Sequence, residues 1–347
     1  MRKLFILVIL LLCFVPICVN AEDMTAPVPP DSAMKYMPED TGSFVEDLLH
    51  VITAALSELD PYIKQVYTNC LTLIAITVLV SILQSFSGIA KHTVELVGVL
   101  SISMLLFEST NSLLSLGIET VQGLCQYGKL LLPVMATALA AQGGPTTSAA
   151  LYTGTAFFNS ILSSVLISLA IPMIYILLVS GIANNTFENN ILKNIKTFIK
   201  WLLTWTLKLS IYLFTGYLGI TRVITGVTDA TAVKATKIAI SGMVPVVGKL
   251  ISDASETILI SAGTLKNAAG VYGLLAIVSI FIAPFLRIAL QYISLKITAS
   301  LCSVFGCKSV TQAMDDFSGA MGFLLAITGT ICILLFISTV CFMKGVE

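Results

Sequence analysis

Long apolar segments separated by short polar ones make up most of this chain. Six of them are long enough to cross a membrane as helices of about 20 residues. They are 71–90, 94–116, 156–182, 201–220, 271–293 and 322–343. A seventh, 124–141, is short and contains Lys129 and Pro133, so it either spans or is re-entrant. The pattern predicts an all-α, polytopic integral membrane protein with six to seven transmembrane helices, plus amphipathic or re-entrant helices.

The first 66 residues follow a different pattern. Arg2 and Lys3 precede an apolar run of about 18 Å as a helix, too short to span comfortably, and a small-residue cleavage pattern follows near Ala21. This predicts a secretory signal peptide over 1–21. Residues 22–66 then form an acidic extracytoplasmic lead with a short helix. Its proline-rich opening should be extended or disordered, and the lead is either a docking element or a solvated tail.

Composition narrows the class of protein. With 56% hydrophobic and only 11% charged residues, the chain has too few ionic side chains to cover a water-facing surface. The membrane domain, 67–347, therefore has lipid as its solvent. A nucleic-acid partner is not expected, because no dense basic patch is present.

Residues with catalytic or metal-binding spacing are not apparent. The cysteines form no CxxC pair, and His50 and His92 are far apart in sequence. No HExxH, GxSxG or phosphate-binding loop is found. We therefore predict no catalytic residues, no metal, no cofactor and no enzymatic activity.

Ionisable residues inside apolar segments are costly, so they are functional candidates. Those inside the predicted spans are Glu108, Lys208 and Arg287. For Arg287, snorkelling or pairing with a carboxylate such as Glu108 is favoured over substrate contact.

A basic stripe surrounds Lys208. Spacings of three and four place Lys193, Lys196, Lys200, Thr204 and Lys208 on one helix face. In the favoured interpretation the first three lysines lie beside lipid headgroups and only Lys208 needs a partner inside the membrane. In the alternative, the stripe lines an aqueous path. The candidate pore or buried polar residues are Glu108, Lys200, Thr204, Lys208 and Arg287.

A stripe of small residues marks the last predicted span. Ser318, Gly322, Ala326 and Thr330 recur at four-residue intervals. Small residues on one face let a second helix approach closely in lipid. We predict a helix contact here, with a neighbour in the same chain favoured over one in another chain.

Residues 225–266 are neither apolar enough to span nor polar enough for a plain loop. Two small-residue amphipathic helices meeting near Pro245 fit the pattern, as an interfacial or re-entrant hairpin or a lining around water. The side of the membrane on which this hairpin lies is left open, since lysines flank it and the preceding loop alike.

The sequence of this hairpin is also similar to that of a known protein family. The similar residues are Thr-Gly-Val-Thr-Asp at 225–229, the Lys234 and Lys237 pair, Met-Val-Pro-Val-Val-Gly at 243–248 and Ser-Asp-Ala at 252–254. With the signal peptide, the acidic lead, the span order and the Gly-Gly-Pro turn at 143–145, they resemble stage III sporulation protein AE of endospore-forming bacteria. The family-like residues are Asp229, Lys234, Lys237, Pro245, Gly248 and Asp253.

The resemblance implies a function that hydropathy does not. Members of this family belong to an eight-protein complex in the mother-cell membrane around the engulfed forespore. With a forespore membrane partner, that complex is thought to form a channel or secretion-like conduit that supports late forespore development. The expected partners are thus membrane lipid, other stage III sporulation membrane proteins and the forespore membrane partner, with homo-oligomerisation left open. The alternatives are a stand-alone secondary transporter with broken helices near Pro133 and Pro172, and a non-conducting assembly scaffold.

Overall fold

The computed structural model describes residues 26–38, 43–86, 91–187, 190–243 and 247–344, with side chains described outside 222–262 and 265. This part is all helical and contains no strand. The all-α prediction is therefore confirmed. The predicted signal peptide, 1–21, lies outside the described residues.

Nine α-helices make up the described part of the chain. They are α1 (Asp31–Met34), α2 (Phe44–Ser57), α3 (Asp60–Phe86), α4 (Lys91–Ala141), α5 (Pro145–Val165), α6 (Ile171–Phe187), α7 (Asn190–Met243), α8 (Val247–Cys302) and α9 (Lys308–Met343). A π-helical turn, Leu166–Ala170, joins α5 to α6, and a 3-10 turn, Ser303–Phe305, follows α8.

Five helical stretches of the described part are long and apolar enough to cross a membrane. They are Asp60–Phe86, Lys91–Ala141, Pro145–Phe187, Lys266–Phe305 and Lys308–Met343. The predicted segments 94–116 and 124–141 lie on one continuous helix, α4, because the residues between them include no helix-stopping turn. The segment 201–220, on α7, is not among the five, because Lys208 and several hydroxyl and aromatic side chains lower its mean hydropathy.

Three helices are longer than one bilayer crossing requires. Helices α4, α7 and α8 contain 51, 54 and 56 residues. At about 1.5 Å per residue each is more than about 75 Å long, over twice a hydrocarbon core of about 30 Å. Part of each helix therefore extends beyond the apolar layer of the membrane. Hydropathy alone does not predict this extension, because it identifies only the apolar part of a helix.

Helix α9 lies at the centre of the bundle, against α4, α6, α7 and α8. It runs parallel to α4, because Gly117 lies against Leu324 and Gly128 against Leu335. A Cβ at Gly117 would come within 2.5 Å of the Leu324 side chain. Glycine thus lets the two helices approach closely, as small residues do where lipid removes the hydrophobic drive for association.

The π-helical turn accommodates Pro172. Proline has no N–H, and its ring clashes with the carbonyl four residues earlier in a regular helix. The wider turn at Leu166–Ala170 separates α5 from α6 immediately before this proline. The predicted kinked helix over 156–182 is therefore two helices joined at a π-turn, a common way for helices to absorb such a break.

The acidic lead is docked. Val51 and Ala55 of α2 are one helical turn apart and fully buried, and with Tyr36 they pack against Ala283 of α8. Residues 26–30 have no regular secondary structure, as expected of the proline-rich opening. Since an apolar pair on one helix face needs a partner surface, the described parts of the lead, 31–38 and 43–57, pack on the membrane domain rather than lying free in solvent.

Candidate functional site

A continuous polar stripe runs along the exposed face of α4. Its side chains follow one another at helical spacing on one face and are all exposed: Glu108, Asn111, Ser112, Ser115, Glu119, Gln122, Gln126 and Lys129. We call this set the α4 stripe. From Glu108 to Lys129 it is about 32 Å long at 1.5 Å per residue, which matches the thickness of a hydrocarbon core of about 30 Å.

The opposite face of α4 explains why the stripe points outward. Leu106, Leu114, Val121 and Leu124 are fully buried in the core of the bundle. Packing this apolar face against the bundle turns the polar face away from it. In lipid, three ionisable and five other polar side chains on one surface would be costly, so the α4 stripe faces water or a polar partner.

The middle of the α4 stripe opens into a cavity of about 360 Å³ between α4, α8 and the lead. Glu119, Gln122 and Gln126 line one wall, and Arg287 lines the other. The Arg287 guanidinium lies 3.9 Å from the ring centroid of Tyr62. Arg287 is thus held by a cation–π contact, whereas the sequence favoured snorkelling or a carboxylate such as Glu108.

An ion pair beside this cavity joins two parts of the lead. Lys35 Nζ donates to both carboxylate oxygens of Glu58 at 2.8 Å, and the Tyr36 hydroxyl donates to Glu58 Oε2 at 2.6 Å. These hydrogen bonds, that from Lys35 first, hold the pKa of Glu58 below its usual range, and the same contact raises the pKa of Lys35. Burial raises the pKa of Tyr36. The lead therefore has a pH-dependent contact outside the predicted spans.

A second cluster is buried where α6, α7 and α9 meet. Lys196 Nζ lies 2.8 Å from both carboxylate oxygens of Asp316, and Asn185 Nδ2 donates to Oδ2 at 3.1 Å. The Nζ of Lys200 is 3.8 Å from Oδ1. Asp316 is only 3% exposed and Lys196 7%. Buried charges in proteins require such pairing, because desolvation costs each ion several kcal/mol.

The sequence pattern does not predict this pair. Its spacing favours Lys196 beside lipid headgroups and gives Asp316 no role. A signal was present, since a carboxylate at the start of the last apolar helix needs a cation, and the basic stripe offers several. The pairing itself joins residues 120 apart in sequence, so no local pattern could select Lys196 over its neighbours.

The two other predicted stripes face each other across a surface groove. Thr204 and Lys208 of α7 form one wall, and Gly322, Ala326 and Thr330 of α9 form the other. The groove encloses about 590 Å³ and also includes Tyr292 of α8. We call it the α7–α9 groove. The basic stripe and the small-residue stripe, recognised separately in the sequence, are thus two sides of one feature.

The small-residue stripe divides along α9. Ser318 Oγ donates to the Tyr292 carbonyl at 3.2 Å, and a Cβ on Gly322 would lie 3.2 Å from the Tyr292 ring. These two residues therefore contact α8 of the same chain. Gly322 also lines the groove, together with Ala326 and Thr330, and the Thr330 hydroxyl donates to the Ala326 carbonyl at 2.6 Å.

The remaining predicted residues occupy the following positions. Glu108, Thr204 and Lys208 are exposed, while Lys200 and Arg287 are half-buried. Helix α7 ends at Met243 and α8 begins at Val247, on either side of Pro245, which lies outside the described residues. The side chains of the other family-like residues are also outside the described part: Asp229, Lys234, Lys237, Gly248 and Asp253. Among the described residues, no three His, Cys, Asp or Glu side chains cluster as a metal site would require.

Comparison with known proteins identifies the family. The sequence model described as stage III sporulation protein AE matches residues 33–345. Among curated proteins, the chain is similar to "Stage III sporulation protein AE" of Bacillus subtilis (strain 168), with 21% identity over 272 residues, 77% of this chain and 68% of that protein. No solved structure matches the chain. Because the family match covers nearly all of the membrane domain and much of the lead, the chain belongs to the stage III sporulation protein AE family.

Proposed function

We propose that this sporulation protein is the membrane core of a channel or secretion-like complex linking mother cell and forespore. It would lie in the mother-cell membrane around the forespore, with six membrane crossings because α4 is one continuous helix, in contact with other stage III sporulation membrane proteins and a forespore membrane partner. In this proposal the conduit runs between chains. The observation that carries it is the α4 stripe.

The stripe supports a conduit for two reasons. It is about as long as a bilayer core is thick, and its eight side chains are exposed on the single chain. An exposed polar surface of this length needs water or a polar partner along its whole length. Apposed stripes from neighbouring subunits would enclose such a path.

A stand-alone transporter is less well supported. Transporters hold their substrate inside the bundle, near discontinuous helices. Here the interior beside the Pro133 turn of α4 and the π-turn is closely packed, and a cavity lined by Thr155, Asn159 and Ser338 admits only about 10 Å³. The polar groups on the α4 stripe lie outside the bundle instead.

Cysteine accessibility tests the stripe directly. In a variant without native cysteines, Gln122→Cys and Gln126→Cys in intact membranes should react rapidly with a membrane-impermeant thiol reagent. Val179→Cys, on the outer face of α6 and exposed but apolar in its native state, is the control and should react slowly. Equal and slow reaction at all three positions would mean that the stripe meets neither water nor a channel.

A triple substitution separates a conduit from a scaffold. Glu119→Leu with Gln122→Leu and Gln126→Leu removes the polar groups without adding bulk to the buried face of α4. A conduit component should still assemble with its partners but fail to support late forespore development. A scaffold should tolerate the change, so normal spores with intact assembly would favour the scaffold.

Deletion and co-purification test the assignment as a whole. Deleting the gene in the parent organism should leave engulfment complete and block late forespore development, and normal spores would refute the proposal. In detergent, a conduit component should co-purify with other sporulation membrane proteins, whereas a transporter should purify alone or as a homo-oligomer.

A further inference from the structure

The α7–α9 groove has a basic end and an apolar end. At the basic end, the Nζ of Lys200 lies 3.9 Å from where a Cβ on Gly319 would stand. Lys208 lines the same wall two helical turns after Lys200, and because helical side chains lean toward the N-terminus of their helix, we expect its ammonium group to extend toward this end. Toward the other end the lining is apolar, with Ile211, Phe323 and Ile333.

The basic end carries an excess of positive charge. The carboxylate of Asp316 is already occupied by Lys196 at 2.8 Å, and Lys200 is more distant at 3.8 Å. Among the side chains that the structure describes, Lys208 has no ion-pair partner. One shared carboxylate against three ammonium groups leaves this end suited to an anion.

The surface beside the groove has the character of a membrane interface. Phe198, Trp201 and Trp205 are exposed on α7 and stack in succession, with ring centroids 6.0 and 6.3 Å apart. Aromatic side chains collect at the level of lipid headgroups. From Phe317 to Met343, α9 then continues without a charged residue, so the apolar end of the groove points into the acyl region.

We propose that the α7–α9 groove binds one anionic phospholipid. Its phosphate lies between Lys200 and Lys208, and one acyl chain follows the small residues of α9 past Ala326 to Ile333. The groove is open along its length, as the site of a lipid at the edge of a bundle must be, and has a volume of about 590 Å³. Basic pockets between helices are known to hold acidic headgroups. This inference does not depend on the channel, and it assigns the two lysines to lipid rather than to an aqueous path.

Lipid retention measures the headgroup contact. The full-length protein is placed in nanodiscs of equal phosphatidylglycerol and phosphatidylcholine, extracted, and its bound lipid is counted by native mass spectrometry. The native protein should retain one phosphatidylglycerol in preference to phosphatidylcholine. Lys200→Gln and Lys208→Gln should each reduce this preference about fivefold. Lys193→Gln, an exposed lysine of α7 outside the groove, is the control and should leave it unchanged.

Filling the groove tests the acyl contact. A Cβ on Gly329 meets no atom within 4 Å, so the side chain of Gly329→Leu starts in open space, extends into the groove and should displace the lipid. Gly216→Leu is the matched control, because this exposed glycine of α7 also has open space and lies outside the groove. It should retain phosphatidylglycerol as the native protein does.

The alternatives have distinct outcomes. A photocrosslinking residue at Ala326 should yield a phospholipid adduct in native membranes. A polypeptide adduct would assign the groove to a partner helix and overturn the proposal. The proposal would also be overturned if the native protein and the Lys200→Gln/Lys208→Gln variant retained equal amounts of phosphatidylglycerol. It would likewise be overturned if Gly216→Leu lost as much bound phosphatidylglycerol as Gly329→Leu.

Discussion

The carboxylate of Asp316 connects three helices through single side chains. Asn185 comes from α6, Lys196 and Lys200 come from α7, and all three reach one carboxylate near the start of α9. The desolvation cost of such a pair consumes most of its attraction. Its value therefore lies in specifying how the helices are rotated against one another rather than in adding stability.

Removing the negative charge of the buried Lys196–Asp316 pair should lower the stability of the fold. Asp316→Asn leaves Lys196 buried without a counter-charge, and we expect the free energy of unfolding to fall by about 3–5 kcal/mol. Asp315→Asn, next to it, breaks only the exposed pair with Lys296 and should cost at most about 1 kcal/mol. Thermal unfolding midpoints in detergent compare the two. A combined Lys196→Met and Asp316→Leu variant should recover most of the loss, and equal midpoints for the two single variants would contradict this account.

Gly181 leaves room for the same carboxylate. A Cβ at this position would lie 2.8 Å from Asp316 Oδ2, so Gly181→Ala must displace the carboxylate from Lys196. We expect a loss of about 1–3 kcal/mol in unfolding free energy. Gly216→Ala meets no atom within 4 Å and should leave the midpoint unchanged or slightly higher, since alanine favours helix. A Gly181→Ala protein as stable as the native one would show that the Asp316 carboxylate can move away from residue 181 without a loss of stability.

Among the helices, α2 and α4 differ most from what the hydropathy of the sequence predicts. Helix α4 joins two predicted spans in one rod, and α2 belongs to a segment that hydropathy leaves outside the membrane domain. Residues 30–36 of the lead, with α4 and α8, line the cavity that contains Glu119 and Arg287. The packing of α1, rather than that of α2, thus decides whether the middle of the α4 stripe is covered.

The ion pair inside the lead should depend on pH. The pKa of Glu58 is held below 4.5 in the folded chain, so its pair with Lys35 stabilises the contact between residue 35 and the end of α2 above that value and is lost as the pH falls through the folded pKa. The pKa of Lys35 is raised above 10.5, so the pair is lost again only at higher pH. Between these limits Lys35 and Glu58 should remain paired, and the apolar contact of α2 with Ala283 does not titrate.

Spin-label distances measure this effect. Labels at Met34 of α1 and Leu49 of α2, both exposed and on either side of the pair, should give a narrow distance distribution at pH 7 that broadens below pH 4.5. Glu58→Gln lacks the ionisable partner, so its distribution should show no such step. A step of equal size in Glu58→Gln would assign the transition to another group.

At the scale of the whole molecule, two unlike sides are apparent. The α4 stripe, the cavity and the docked lead form a polar side, whereas the aromatic residues of α7 and the outer faces of α5 and α6 form an apolar one. A membrane protein with one polar and one apolar side is not surrounded by lipid on every side. Its polar side requires water or other protein, and its apolar side is free for lipid.

The long helices fix which ends lie on opposite sides of the membrane. Lys196 lies near the start of α9 and Gly270 near its end, because Gly270 approaches Met343. Lys193 and Lys249 should therefore lie beyond opposite ends of the apolar run of α9. In a variant without native cysteines, Lys193→Cys and Lys249→Cys should react with an impermeant thiol reagent from opposite sides of the membrane. Reaction from the same side would exclude this arrangement.

Much of this structure follows from local sequence. The all-helical membrane class depends on the length and apolar character of single segments, and the family depends on a run of small and polar residues in order; neither needs a contact between distant residues. The α4 stripe was present as well, as polar residues at spacings of three and four from Glu108 to Lys129. It was divided between two predicted spans, so its length was not apparent.

The tertiary structure decided the rest. Lys196 rather than Lys208 pairs with a carboxylate, and Lys200 and Lys208 come to face Ala326, because close contacts such as Gly117 against Leu324 set the rotation and register of α9 in the bundle. Hydropathy determines that a segment is a helix in lipid, but it is nearly indifferent to rotation about the helix axis. Packing is not, and for that reason the sequence determined the solvent of this chain whereas the fold determined which polar groups are buried and which are exposed.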